Sequence, residues 1–72
     1  MSKLERPIWR EWRNADGSYV AVLLFPDGLT ERQALAEVLM EGRKLEKLNE
    51  LHNEHEGMRV CQYALAARVE TP

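Results

Sequence analysis

Apolar residues crowd into Tyr19–Phe25, where Tyr-Val-Ala-Val-Leu-Leu-Phe leaves the tyrosine hydroxyl as the sole polar side-chain group. Asp16-Gly17 before it and Pro26-Asp27-Gly28 after it are turn signals. β-Branched and aromatic residues over this length predict a strand that is apolar on both faces. The run is too short to span a bilayer. A strand of this kind needs cover on two sides, and the rest of the pattern shows how little cover the chain supplies.

Upstream, Pro7 leads into Ile8-Trp9-Arg10-Glu11-Trp12-Arg13. Proline suits a strand start or edge, and the two tryptophans favour a sheet, so a first strand is predicted over 8–13. Asn14-Ala15-Asp16-Gly17 has the composition of a type I turn with glycine as the left-handed residue. Closing Asn14 against Ser18 sets Trp12 opposite Val20, Arg10 opposite Val22 and Ile8 opposite Leu24. A two-residue Asp-Gly turn would slip the register by one and set Trp12 opposite Ala21. The first register is the favoured one.

Downstream, Leu29-Thr30-Glu31-Arg32-Gln33 carries the marks of a helix start. Thr30 is placed as N-cap, Gln33 at N3 to complete a capping box, and Leu29 at the staple position against Ala34. Helix-forming residues then continue to His55, with Gly57 as a left-handed stop. The expectation is one helix from Glu31 to His55, with Gly42 as the place for a kink. It would be about 38 Å long at 1.5 Å per residue, against roughly 24 Å for the strand beneath it. Leu35, Val38 and Leu39 share a face in the first half. In the second half Leu45, Leu48, His52 and His55 fall at coiled-coil spacing and form the expected self-association seam.

Residues 58–70 alternate as a strand, with Cys61, Tyr63, Leu65, Ala67 and Val69 on one face and Val60, Gln62, Ala64, Ala66 and Arg68 on the other. High helix propensity in Ala64–Arg68 keeps a helix open as the rival. The predicted class is α+β, ββαβ: a three-stranded, mainly antiparallel sheet with one long helix packed on one face. The alternative is ββαα with 58–70 helical. Pairing the third strand beside the first would give order 2-1-3; pairing it beside the second would require a right-handed parallel crossover. The chain is read as one domain, 1–72, with 1–6 as a loose N-terminus.

Composition narrows this picture. With 44 % hydrophobic and 31 % charged residues in 72, the chain is expected to fold, with little stability to spare. Its net charge of −2 disfavours non-specific tracking of a phosphate backbone. Cys61 is the only cysteine, which excludes an internal disulfide and suits a reducing cytoplasm. Residues 1–6 contain no apolar signal region, so a cytoplasmic location and no membrane association are expected.

Candidate chemistry is sparse. His52 and His55 with Cys61 and either Glu54 or Glu56 contain metal-ligating types, but there is neither a CxxC pair nor an HExxH motif, and no metal or other cofactor is expected. Cys61 in an apolar run reads as a small core residue. Trp9, Arg10, Trp12 and Arg13 interleave aromatic and basic groups, as a strand that stacks bases and holds phosphates would. Positions 9 and 12 have opposite strand parity, however, which favours one tryptophan in the core and the other at a protein interface. Glu46, Glu50 and Glu54, at i, i+4 and i+8 of the expected helix, form an acidic ridge able to dock on a basic partner surface.

Function is therefore argued from surplus apolar surface. One helix covers one side of a sheet whose strands are apolar on both, and soluble monomers rarely leave such a face open. Burying a further 500 Å² would contribute roughly 12 kcal/mol before association costs. The expected protein is a small non-enzymatic interaction module that forms a homodimer and inhibits or regulates by occluding a surface of a larger protein complex. It resembles phage-borne inhibitors such as anti-CRISPR proteins in format alone, with no shared motif. The alternative is single-stranded nucleic-acid binding through strand 8–13.

Overall fold

A computed structural model describes residues 4–65, which form β1 (Ile8–Arg13), β2 (Tyr19–Pro26), α1 (Glu31–Glu37), β3 (Leu45–Asn53) and β4 (Met58–Leu65). The class is α+β, with one antiparallel sheet in the order β1-β2-β4-β3 and a single short helix. The sheet has four strands where three were expected, so the order of elements is ββαββ. No helix among the described residues is long and apolar enough to cross a membrane.

The β1–β2 hairpin follows its turn chemistry. Asn14 N–H donates to the Ser18 carbonyl at 2.8 Å and Gly17 N–H to the Asn14 carbonyl at 3.0 Å, with Gly17 at φ 90°. Only a residue without a Cβ takes that conformation cheaply. The Asp16 carboxylate accepts from both the N–H and the hydroxyl of Ser18, which holds its carboxyl below the usual range. The register is the one set by a three-residue loop, with Trp12 opposite Val20, Arg10 opposite Val22 and Ile8 opposite Leu24.

β2 and β4 lie side by side at the centre of the sheet, Leu23 opposite Cys61 and Ala21 opposite Tyr63. Their alternate residues Ala21, Leu23, Phe25, Cys61, Tyr63 and Leu65 are buried, and Ala34 of α1 closes over them. Trp9 of β1, Leu45 of β3, and Leu29, Leu35 and Val38 around the helix pack at the margins. The Cys61-Tyr63-Leu65 alternation expected for residues 58–65 is therefore the one that builds the core, and a helix there is excluded. Residues 66–70 of that expected element lie outside the described residues. β4 sits beside β2, yet antiparallel to it, because β3 has already reversed the chain.

The long helix is the main correction. Its start is as expected: Gln33 N–H donates to Thr30 Oγ1 at 3.1 Å and Thr30 N–H to Gln33 Oε1 at 2.8 Å, a complete capping box. It ends after seven residues, however. Leu39 takes φ 62°, its N–H donates to the Ala36 carbonyl, and Met40 N–H donates to the Leu35 carbonyl at 2.9 Å. This is a Schellman stop, with leucine where glycine is usual. Gly42, at φ 91°, then turns the chain rather than kinking a helix, and residues 45–53 form β3.

β3 wins over local propensity for a tertiary reason. As a helix, 45–55 would overshoot the sheet, leave the backbone edge of β4 unpaired and align Glu46, Glu50 and Glu54 as like charges on one face. As a strand it pairs along β4 and separates those carboxylates, for propensity differences of only a few tenths of a kcal/mol per residue. A bulge between Lys47 and Asn49 inserts Leu48 and switches the parity, so Glu50 and His52 join Leu45 and Lys47 on the helix side.

Leu39 is 85 % exposed, so its side chain offers little against the cost of a left-handed backbone. That conformation costs a leucine about 1–2 kcal/mol, and glycine gives back about 0.5–1 kcal/mol in chain entropy. Leu39→Gly should accordingly raise unfolding free energy by about 0.5–1 kcal/mol in urea melts. A loss of stability would show that the stop does not form this way.

Candidate interaction surface

The two faces of the sheet differ in how they are finished. On the helix side, α1 is too short to cover β4 and β3, and a polar network takes its place over Cys61 and Tyr63. The Tyr63 hydroxyl donates to a Glu31 carboxylate oxygen. Lys47 Nζ bridges Glu31 Oε1 at 2.7 Å and Glu50 Oε1 at 2.6 Å, and Arg59 reaches Glu50 Oε2 at 3.1 Å. His52 Nε2 pairs with Asp27 at 3.0 Å on the same side. The Lys47 ammonium and its carboxylates stabilise one another's charged forms, so the Lys47 pKa is raised and the Glu50 pKa lowered. Burial pushes the Cys61 thiol up, which keeps it protonated near neutral pH and a poor nucleophile. Glu31, Glu50 and Cys61 present three ligand-type atoms within 4.8 Å of one another, but Lys47 already supplies the cation for both carboxylates.

The residues singled out from sequence are dispersed. His52 and His55 do not join Cys61 in a ligand set: His52 is on β3 against Asp27, and His55 is in the 54–57 turn. Leu45, Leu48, His52 and His55 do not form a helical seam, because 45–53 is a strand. Leu45 packs toward the core, Leu48 is the exposed bulge residue, and the histidines are placed as above. The acidic ridge is broken for the same reason, with Glu46 and Glu50 on opposite faces of β3 and Glu54 in the turn. Strand 8–13 is divided as well. Trp9 faces the helix side and stacks on Tyr63 with ring centroids 5.8 Å apart, and Arg13 lies over the Tyr19 ring at 5.7 Å. Arg10 and Trp12 face the other way.

That other face carries no described element. Its side chains fall in three rows that cross all four strands, fixed by the strand registers, with a shorter row of Pro26, Met58 and Asn53 beyond them. One row is Ile8, Leu24, Val60 and Leu51. The middle row is Arg10, Val22, Gln62 and Asn49. The third is Trp12, Val20, Ala64 and Glu46. Eight of these twelve are apolar, against four polar, which is a core-like composition on an open surface. Leu51 is 59 % exposed and Trp12 43 %, while Val22 and Val60 are half-buried only by their neighbours. A depression of about 140 Å³ lies between Val22, Val60, Leu51, Asn49 and Gln62.

Sequence reasoning found the surplus through the two-faced Tyr19–Phe25 run but missed Leu51, Asn49 and Glu46 as members of this face. Their strand pairing has no local signal. The Glu31–Lys47–Tyr63 network was equally invisible, since its members are 16 and 32 residues apart in the chain.

The network makes the alkaline limb of stability informative. Tyr63 and Lys47 both have folded pKa values raised above their ordinary 10.0 and 10.5, Tyr63 first by burial and then by its bond to Glu31. Their contribution is complete below those ordinary values and is lost as pH rises above about 10. Unfolding free energy should fall from pH 10 upward, and the Tyr63 share of tyrosinate absorbance should appear only together with unfolding. In Tyr63→Phe that coincident absorbance should vanish. Compared with known protein families, with curated protein sequences and with solved structures, this chain matches none.

Proposed function

We propose that this protein is a non-enzymatic interaction module that binds a protein partner through the open face of its sheet, and regulates by occluding the surface it covers. The observation that carries this reading is the asymmetry of the sheet. One face is closed by α1 and a satisfied polar network, and the other presents eight apolar residues in twelve positions with no helix or strand over them among the described residues, residues 4–6 lying beside its Ile8–Leu24 corner. Trp12 and Arg10, side chains enriched among interface hot spots, sit at one margin of that face. Cys61 is a buried thiol on the helix side, and Glu31 and Glu50 beside it are paired with Lys47 and Arg59.

A second reading, single-stranded nucleic-acid binding, draws on Arg10 and Trp12 sharing the open face. It is weakened by the loss of Trp9 and Arg13 to the opposite side and by Glu46 standing in the row of Trp12. Oligonucleotide affinity that falls steeply with salt and disappears in Trp12→Ala would favour it.

The contact reading has a direct test. Dilute protein should enhance the fluorescence of an apolar dye such as anilinonaphthalene sulfonate. Val22→Lys combined with Val60→Lys should abolish most of that signal while costing less than about 2 kcal/mol of stability, since neither side chain is in the closed core. Glu50→Gln, on the helix side, should leave the dye signal unchanged. Equal dye binding by the double variant would place the sticky surface elsewhere and remove the basis of the proposal.

A further inference from the structure

We infer that the open face is covered by the same face of a second copy, the two sheets stacked with their two-fold axis in the interface plane and parallel to the strands. This rests on the reading of the open face as the binding surface and adds its occupant and geometry.

Both edges of the sheet are ill-suited to pairing with another chain. β1 is preceded by Pro7, and β3 carries the bulge at Leu48 together with Glu46, Lys47 and Glu50. The faces offer the remaining route to self-association. Sheets packed face to face with their strands aligned, and related by a two-fold axis in the interface plane, have two arrangements, with the axis across the strands or along them. With the axis across the strands, β1 lies over β1 and the middle row over itself, so Arg10 meets Arg10 of the second copy, like charge against like. With the axis along the strands, β1 lies over β3 and each row over its own counterpart. Arg10 then meets Asn49, with Glu46 of the second copy one row away, within reach of a guanidinium. Among the twelve face positions Arg10 is the one cation and Glu46 the one anion, and they occupy opposite edges of the same face. Apolar positions meet in either arrangement; with the axis along the strands Leu24 falls over Val60, Ile8 over Leu51 and Val20 over Ala64, while Trp12 falls over Glu46 and Val22 over Gln62, so the placement of charge selects between the two.

The footprint is adequate but small. Four strands at about 4.8 Å spacing and three rows along them give roughly 400 Å² in projection. Two such faces remove on the order of 1,000 Å² of accessible surface, near the lower bound for a specific contact. A dimer with a dissociation constant in the micromolar range is therefore expected, not an obligate one.

Sedimentation velocity on the full chain over a concentration series tests this. Wild-type protein should pass from monomer to dimer across the micromolar range. Val22→Lys, which buries an unpaired ammonium, should weaken association at least about 100-fold. Arg10→Glu and Glu46→Arg should each weaken it about tenfold, and the two together should recover most of the loss. These two charge changes lie on exposed positions, so they decide the matter even if Val22→Lys fails to fold. A dimer indifferent to Val22→Lys, or one that the combined exchange does not restore, would overturn this geometry. A chain that remains monomeric at several hundred micromolar yet binds the apolar dye would overturn the self-association and leave the interaction module standing. A monomer that does not bind the dye would overturn both.

Discussion

The pairing of β2 with β4 is the contact on which the rest of the structure depends. These strands are more than thirty residues apart in the chain, and each is apolar on both faces over most of its length. Placed side by side, they give one face six buried residues, from Ala21 to Leu65. The same alternation gives the other face Val20, Val22, Leu24, Val60 and Ala64. A two-residue period cannot enrich one side of two-faced strands without enriching the other. The open surface is a consequence of the core, not an addition to it.

The chain finishes only one of the two sides. Seven residues of α1 reach across β2, and a salt bridge from Lys47 of β3 and a hydrogen bond from Tyr63 of β4, both to Glu31, complete the roof over Tyr63 and Cys61. Among the described residues no buried side-chain polar atom on that roof lacks a partner. Such a surface offers a ligand little, because the charges over Tyr63 and Cys61 would have to be taken from existing pairs. The open face offers apolar area with few polar groups to desolvate. The recognition proposed for that face accords with the physical contrast between the two sides.

Residues 45–53 show where local and tertiary preferences conflict. Leu-Glu-Lys-Leu-Asn-Glu-Leu-His-Asn has the composition of a helix, and its leucines at three-residue intervals suggest a helical stripe. What decides against it is the vacant edge of β4 and the stop at Leu39, which has none of the usual sequence marks because the left-handed position is not glycine. The bulge at Leu48 then lets a sequence without strict alternation send Lys47 and Glu50 to the same side, where they pair. The three glutamates that looked like one ridge thereby stand in three separate places, Glu46 and Glu50 on opposite faces of β3 and Glu54 in the turn.

By itself the sequence determined the elements whose signals are local. The Asn14–Ser18 turn fixes the first hairpin's register because glycine alone tolerates its geometry. The Thr30/Gln33 box fixes the start of α1 because those side chains satisfy orphan N–H groups, and parity fixes Trp9 and Trp12 on opposite faces. Only the tertiary structure decided that β3 exists, that β4 inserts next to β2, and which residues share the open face. Each of those outcomes rests on backbone hydrogen bonds between segments distant in the chain, whose energy depends on what stands opposite and not on what stands adjacent.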